Sequence, residues 1–281
     1  MKKRVLTLLL TLTLSLALSP QSRAVRTEAA PVFLPVVMYH HVSKNPKKWN
    51  DYVISPEELA ADLDYLADQG WHSVSVKELL DWYDGRGTLP EKPFMITFDD
   101  GFESTMAYAA PILASHGFQG VVAVIGSVCE KFSACGEHDP ELSNLSWEDA
   151  AALAEDGVFE VQCHTWDMHS LSGRRGCQQR RGESDCDYAA HLAADLARFR
   201  SACDSHGVRT VPAIAYPYGA YSPETDQIAL AQGFRLAFTC EEQVNILPDQ
   251  PPPLLRLGRF NRPHGAGSAQ FFSKWKETPN G

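Results

Sequence analysis

Two segments about sixty residues apart carry the residue types that metal-assisted hydrolysis needs: Thr97-Phe98-Asp99-Asp100-Gly101 and His164-Thr165-Trp166-Asp167-Met168-His169. Each follows an apolar run, Phe94-Met95-Ile96 in the first and Val158-Phe159-Glu160-Val161 in the second. Both polar clusters therefore fall where a buried strand would end, and α/β folds build their active sites at strand ends. Neighbouring side chains on a regular strand point to opposite faces, but Gly101 permits a turn that brings both carboxylates to one cavity. One carboxylate can then bind a metal ion while the other takes a proton. Two imidazoles and a carboxylate leave coordination positions open for water and a substrate oxygen, and such an ion acidifies water and polarises a carbonyl. Taken singly, Asp-Asp-Gly reads as a solvated turn and the histidines as surface residues. Their combination is what points to a catalytic centre.

That combination resembles the polysaccharide deacetylases of the NodB-homology type, carbohydrate esterase family four. The resemblance implies that Asp99 is the catalytic base. It also implies that Asp100, His164 and His169 hold one divalent ion, Zn2+ by default, with Co2+, Ni2+ or Fe2+ fitting the same ligands. Many members place three residues between the histidines. Here there are four, which is similar to the branch that deacetylates poly-β-1,6-N-acetylglucosamine in biofilm export. Ala215-Tyr216-Pro217-Tyr218-Gly219 resembles the Pro-Tyr-Gly turn of the family, implying that the Tyr218 backbone N–H stabilises the oxyanion. A preorganised donor of that kind contributes roughly 3 kcal/mol. By itself the segment would read as an ordinary Pro-Gly turn with packing tyrosines.

Many members also carry an arginine shortly before this proline to orient the base, whereas here Ala213, Ile214, Ala215 and Tyr216 precede it. Arg259, in Leu257-Gly258-Arg259-Phe260-Asn261, is the expected substitute, with Arg256 as its competitor and a surface role open for both. The general acid of the ordinary family order is a C-terminal histidine, but His264 lies in the loop-like Arg262-Pro263-His264-Gly265. Val36-Val37-Met38-Tyr39-His40-His41-Val42 instead reads as an N-terminal strand ending in histidine, resembling the circularly permuted order of the biofilm branch. His40 is the expected acid and His41 the less favoured neighbour; histidine suits the role because its pKa lies near neutrality. A satisfied core histidine is the alternative. Trp166 and Tyr216 are the expected substrate contacts, Trp166 by stacking on a sugar ring, with packing behind the site as the rival role.

The resemblance implies an N-acetylated glycan as substrate, of the poly-β-1,6-N-acetylglucosamine type, with chitin, peptidoglycan or O-acetylated xylan as alternatives. From a different class, the chain reads as a glycan-binding module that has lost catalysis. Retention of Asp99, Asp100, His164, His169 and His40 together argues against that reading.

Residues 1–24 have a basic start, a leucine-rich stretch and a small-residue site at Ser22-Arg23-Ala24, the pattern of a signal peptide. The apolar part is shorter than the roughly 20 residues that span a bilayer, so a secreted or periplasmic protein without a transmembrane segment is expected. Removing Lys2, Lys3, Arg4 and Arg23 leaves 21 basic against 35 acidic residues, a net charge of −14. Such a surface disfavours nucleic acid. The seven cysteines all follow the leader, and export permits disulfides; Cys129–Cys135 and Cys177–Cys186 are the expected short-range pairs. Cys163 is expected as a buried apolar residue.

Strand-like and helix-like segments alternate along the chain. Ser55-Pro56-Glu57-Glu58 forms a capping box before Leu59, Leu63 and Leu66, and Gly70 ends that helix. Residues 72–76 then read as a strand, followed by strand 94–98, helix 104–115, strand 120–125, helix 146–156 and strand 158–163. Helix 188–203, strand 212–216, helix 223–232 and strand 235–239 complete the series. The polar loops 127–145 and 170–187 interrupt it, as borders of a substrate groove or as surface insertions. Alternation of this kind predicts a parallel sheet covered by helices, and the resemblance narrows it to a distorted (β/α) barrel over residues 32–262. Residues 263–281 are expected as a C-terminal tail, with no room for a second glycan-binding or hydrolase domain. A monomer is expected.

Overall fold

Among the described residues, eight parallel strands run side by side in one curled sheet, with the short pair His72–Ser73 added as a ninth beside the start of Pro93–Phe98, and their buried patterns explain why. The structure is a computed structural model and describes residues 31–209, 212–248 and 252–276; the expected signal peptide lies outside the described residues. The strands are β1 (Val36–Tyr39), β2 (Pro93–Phe98), β3 (Gly120–Val124), β4 (Phe159–Cys163), β5 (Ala213–Ala215), β6 (Leu236–Phe238), β7 (Leu255–Leu257) and β8 (Phe260–Asn261). Their spatial order is β7-β6-β5-β4-β3-β2-β1-β8, every pairing parallel. All six residues of β2 and all five of β3 are buried, as a parallel sheet covered on both faces requires. The edge strands β7 and β8 are consecutive in the chain, joined only by Gly258-Arg259. The sheet therefore curls until it nearly closes, with the expected N-terminal strand β1 lodged between β2 and β8.

Alternation along the strands divides the apolar residues between two cores. Val37, Ile96, Phe98, Val122, Val124 and Val161 share one core with the outer helices α1 (Pro56–Asp68), α3 (Ala110–Ser115), α5 (Trp147–Asp156) and α6 (Asp185–Ser205). Val36, Met95, Val121, Ala123, Ala215 and Phe238 fill the other, together with Val76, Leu79, Leu80 and Tyr83 of α2 (Val76–Tyr83). The first backbone N–H groups of α2, at Val76 and Lys77, donate to the Glu160 carboxylate at 2.7 and 3.0 Å. A buried carboxylate at a helix N-terminus satisfies both the orphan donors and the helix dipole. Because Glu160 stands at the start of β4, α2 seals the end of the inner core away from the strand C-termini.

The expected capping boxes at Ser55 and Ser146 are present, and Ser75 forms a third. That third box starts α2 where residues 72–76 were expected to run as one strand; only His72–Ser73 pairs, with the start of β2. Half of the expected loop 127–145 is the helix α4 (Gly126–Cys135), which stops at Gly136 with φ +63°. A wide π-type turn over Thr105–Ala109 precedes α3, whose Pro111 has no N–H to give to a regular ladder. The series ends with α7 (Thr225–Ala231) and α8 (Ser268–Phe272).

Two other expectations are corrected. All seven cysteines are free: Cys129 and Cys135 share α4, where six residues rise about 9 Å, beyond the roughly 7 Å that a disulfide bridges. Cys177 is buried while Cys186 is exposed on the first turn of α6. The described part of the expected tail is also packed structure rather than tail. Phe271, Phe272 and Trp275 are buried, Phe272 stacks on Tyr65 of α1, and Trp275 meets Trp71 and Phe94 edge-on or tilted. Arg262 grips the buried Asp62 of α1 through Nε and Nη2 at 2.7 and 3.0 Å, and Tyr39 and Ser268 donate to the same carboxylate. Among the described residues no helix is long and apolar enough to cross a membrane.

Candidate active site

The C-terminal ends of β2, β4 and β5 each turn through a residue other than glycine with positive φ: Asp100 at +70°, Thr165 at +69° and Tyr218 at +58°. Such conformations cost of order 1–3 kcal/mol each and persist only where surroundings hold them. The Asn144 side-chain amide donates to the Asp100 carbonyl at 2.9 Å, and the Leu145 N–H donates to Gly101 at 2.8 Å. Gly101 is needed as such, since a Cβ there would meet Val124 at 2.9 Å. At the second turn, the Trp166 and Asp167 N–H groups donate to Asp195 of α6 at 2.7 and 2.8 Å, and Met168 N–H donates to Thr165 Oγ1.

These turns converge Asp100, His164 and His169 so that one ligand atom from each lies within 4.8 Å of the others. Asp100 Oδ1 is 3.4 Å from His164 Nε2 and 3.1 Å from His169 Nε2, and it is buried with no hydrogen-bond donor. His164 Nδ1 lies 2.8 Å from the Ala215 carbonyl. A carbonyl only accepts, so Nδ1 carries the proton and Nε2 presents a lone pair toward Asp100. On His169, Tyr218 Oη lies 3.1 Å from Nδ1 while Nε2 faces Asp100; with the hydroxyl accepting from Nδ1–H, that Nε2 is an acceptor as well. Inward-facing acceptors with outward-fixed Nδ1 atoms fit a divalent cation, and nitrogen and oxygen donors of this kind suit Zn2+. Burial pushes the Asp100 carboxyl up, but the two histidines outweigh it and hold it far below the usual range. Burial lowers the His164 pKa, and the Asp99 and Asp100 charges more than offset it.

Asp99 is buried beside this cluster. Arg259 Nη1 and Nη2 donate to its two oxygens at 2.7 and 2.8 Å, while Arg259 Nε donates to the Thr239 carbonyl at 2.9 Å and Nη1 also reaches Thr97 Oγ1 at 3.2 Å. Arg259 is fully buried in the link between β7 and β8, so the seam of the curled sheet delivers it to the end of β2. Burial raises the Asp99 carboxyl, yet the Arg259 and His164 charges leave it below its ordinary value. Arg256 points elsewhere: it is exposed, pairs with Asp226 at 3.2 Å and lies over Tyr221.

His40 follows β1 with its ring edge-on to Tyr52, centroids 5.0 Å apart, and its Nδ1 buried without a partner. Burial lowers its pKa, against the opposing pull of Asp99 and Asp100. His41 is stacked on Phe102 at 4.6 Å and Nε2 lies 3.1 Å from the Pro140 carbonyl. His264 pairs with Glu58 at 2.8 Å, at the start of α1.

The two expected sugar contacts are corrected by burial. Tyr216 is fully buried and donates its hydroxyl to Asp226 at 3.0 Å. Trp166 is 7% exposed, with Gly126 against one side of its ring and Arg198 4.2 Å from the ring centroid. Neither offers a face to a glycan. Asp195, Asn144 and Thr97 are supporting residues that sequence reasoning missed. Asp195 sits within a long amphipathic helix, and no local pattern ties it to residues 29 positions earlier.

Comparison with known proteins places this geometry. The family model for polysaccharide deacetylases matches residues 86–237. IcaB from Ammonifex degensii superposes with a TM-score of 0.69 at 30% identity, over 87% of this chain and 97% of that one. A de-N-acetylase from Aggregatibacter actinomycetemcomitans superposes at 0.71 with 22% identity, over 87% and 99% of the two chains, and shows the same fold. Among curated relatives, the poly-β-1,6-N-acetyl-D-glucosamine N-deacetylase of Staphylococcus aureus is 24% identical over 198 residues, covering 70% of this chain. The chain spans 64% of the length of that relative. The curled parallel sheet is thus the distorted (β/α) barrel of NodB-type deacetylases. With more than half its length matched by the family model, and a 30% identical structure matched almost end to end, this chain belongs to the polysaccharide deacetylase family.

Proposed function

We propose that the protein is a metal-dependent N-deacetylase of an exported N-acetylglucosamine polymer of the poly-β-1,6 type. The observation that carries the chemistry is the convergence of Asp100, His164 and His169 beside the Arg259-held carboxylate of Asp99. Asp100, His164 and His169 would hold one divalent ion, Zn2+ by default, which when bound would supply Lewis acidity to an attacking water and to the acetamide carbonyl. Asp99 takes the proton from that water, kept oriented by the bidentate guanidinium of Arg259. The Tyr218 backbone N–H donates to the carbonyl oxygen as negative charge develops, a contribution of roughly 3 kcal/mol. His40 delivers a proton to the departing amine, so that acetate leaves and the sugar keeps a free amino group.

The substrate assignment draws on the staphylococcal relatives, named for poly-β-1,6-N-acetyl-D-glucosamine, and on the four residues between His164 and His169. The signal-like residues 1–24 support a reading of the chain as secreted or periplasmic, and the reading takes it as a monomer. The test is acetate release by the mature protein, stripped of metal and resupplied with Zn2+, Co2+ or Ni2+, on β-1,6- and β-1,4-linked N-acetylglucosamine oligomers. Metal-restored release on the β-1,6 series is the expected result. Preference for the β-1,4 series would move the substrate to chitin or peptidoglycan. Bound metal without release from either would overturn the N-deacetylase reading in favour of an ester substrate or a binding role.

A further inference from the structure

The chain leaving His169 passes through the exposed residues 171–173 and then doubles back onto the Pro217–Gly219 turn, where Arg174, Gly176 and Cys177 are buried. The Gly176 N–H donates to the Ser170 carbonyl at 3.2 Å, closing the segment on itself, and the Cys177 N–H then donates to the Ala220 carbonyl at 3.1 Å. The Gln179 N–H donates to Ser222 Oγ at 2.9 Å. Behind this contact, Tyr188 of α6 donates to the Cys177 carbonyl at 2.7 Å, while Arg174 donates to Gln178 and pairs with Glu183. At its centre Gly176 has φ +52°, and a Cβ there would overlap the Pro217 carbonyl oxygen and stand 3.2 Å from its carbon. That oxygen belongs to the main chain and accepts from the Ala220 N–H at 3.0 Å, so it cannot swing aside as a side-chain tip would. On its far side the turn is equally confined, since a Cβ on Gly219 would meet the Cys240 nitrogen at 2.7 Å. Tyr218 sits between these contacts with its hydroxyl 3.1 Å from His169 Nδ1.

We infer that residues 170–179 form a strap that sets the position of the Pro217–Gly219 turn, with Gly176 as the positioning residue, and that through Tyr218 the strap orients His169. The inference rests on the proposed roles of His169 and Tyr218. Its physical content is that the first residues after a metal ligand return to fix that ligand's outer partner, so loop and site move as one unit. Outer partners of metal-bound histidines typically govern 10–100-fold in metal affinity or activity, and a misplacement of about 1 Å costs on the order of 100-fold in rate.

Gly176→Ala tests it against Gly173→Ala, whose φ is +74° in the same loop but whose Cβ would meet nothing within 4 Å. Both variants carry the backbone strain; only Gly176→Ala presses on the turn. The expected result is a loss of Zn2+ affinity of about tenfold or more by chelator competition, a changed Co2+ visible spectrum, and a fall in kcat exceeding any change in KM. Gly173→Ala should track wild type in all three. Hydrogen exchange on the metal-free proteins tests the strap separately from the metal reading: the Gly219 and Ala220 amides should exchange faster in Gly176→Ala alone. If Gly176→Ala does not fold, Ser222→Ala removes the acceptor of the Gln179 N–H without adding an atom, and should shift the same readouts a few-fold. Equal behaviour of Gly176→Ala and Gly173→Ala, or of Ser222→Ala and wild type where it stands in, overturns the strap. Failure of wild type to bind metal overturns the site assignment instead, leaving the exchange result to judge the strap.

Discussion

Replacing Arg259 with methionine tests the arrangement most directly. The substitution keeps an unbranched apolar stem reaching about as far as Nε but removes a guanidinium bonded to both oxygens of Asp99, to the Thr239 carbonyl and to Thr97 Oγ1. Both partners are buried, Arg259 at 0% and Asp99 at 3% exposure. Removing one member of a buried pair leaves an uncompensated charge and costs about 3–5 kcal/mol. At about 2–4 °C per kcal/mol for a domain of this size, the melting temperature should fall by roughly 6–20 °C. The assay is thermal unfolding of the mature protein at fixed metal concentration, alongside acetate release. Arg259→Lys should fall between, because an ammonium is a point donor without the planar fork. Combining Arg259→Met with Asp99→Asn removes the stranded charge, so the double variant should be more stable than the two single losses imply. A fall under about 3 °C for Arg259→Met, or strictly additive losses in the cycle, would refute the claim that the two form one buried unit.

Asp99→Asn should bind metal with little change yet lose at least about 100-fold in kcat; near-normal turnover would remove Asp99 from the role of base. Trp275→Ala should cost about 3–5 kcal/mol, as deletion of a buried aromatic does, and a melting temperature unchanged from wild type would return residues 263–276 to the status of a tail. Burial raises the Glu160 carboxyl above its ordinary value of 4.5, against the Lys77 and Val76 N–H donors that lower it. A carboxyl raised on folding makes the folded state bind more protons, so its contribution to stability is lost as pH climbs from 4.5 through the raised value. Glu160→Gln lacks this titration, and its melting temperature relative to wild type should therefore rise with pH across that window. A flat or falling difference would contradict the sign.

The alternation of strands and helices was legible because it is written in local patterns. An apolar run ending in a polar cluster marks a strand end, as at Phe98-Asp99 and Cys163-His164, and a serine followed three residues later by an acid marks a helix start, as at Ser55 and Ser146. The same rule was available at Ser75, but the β-branched Val74 and Val76 around it favoured a strand, and α2 formed because its apolar face closes the inner core. Asp99, Asp100, His164 and His169 could be named together because each stands in a short motif at a strand end. Their relation to everything else could not be. Arg259 lies 160 residues from Asp99, and it was separated from Arg256 only by the direction in which each leaves the sheet seam. Trp166 and Tyr216 look like sugar-binding residues by type, yet tertiary packing buries both, Trp166 between Gly126 and Arg198 and Tyr216 with its hydroxyl on Asp226. The sequence by itself determined which groups are available and at which strand ends they stand, since secondary structure follows short-range periodicity. Which of those groups face one another was decided only when the sheet curled, because the closure that brings β8 beside β1 and Arg259 against Asp99 depends on packing between residues far apart in the chain.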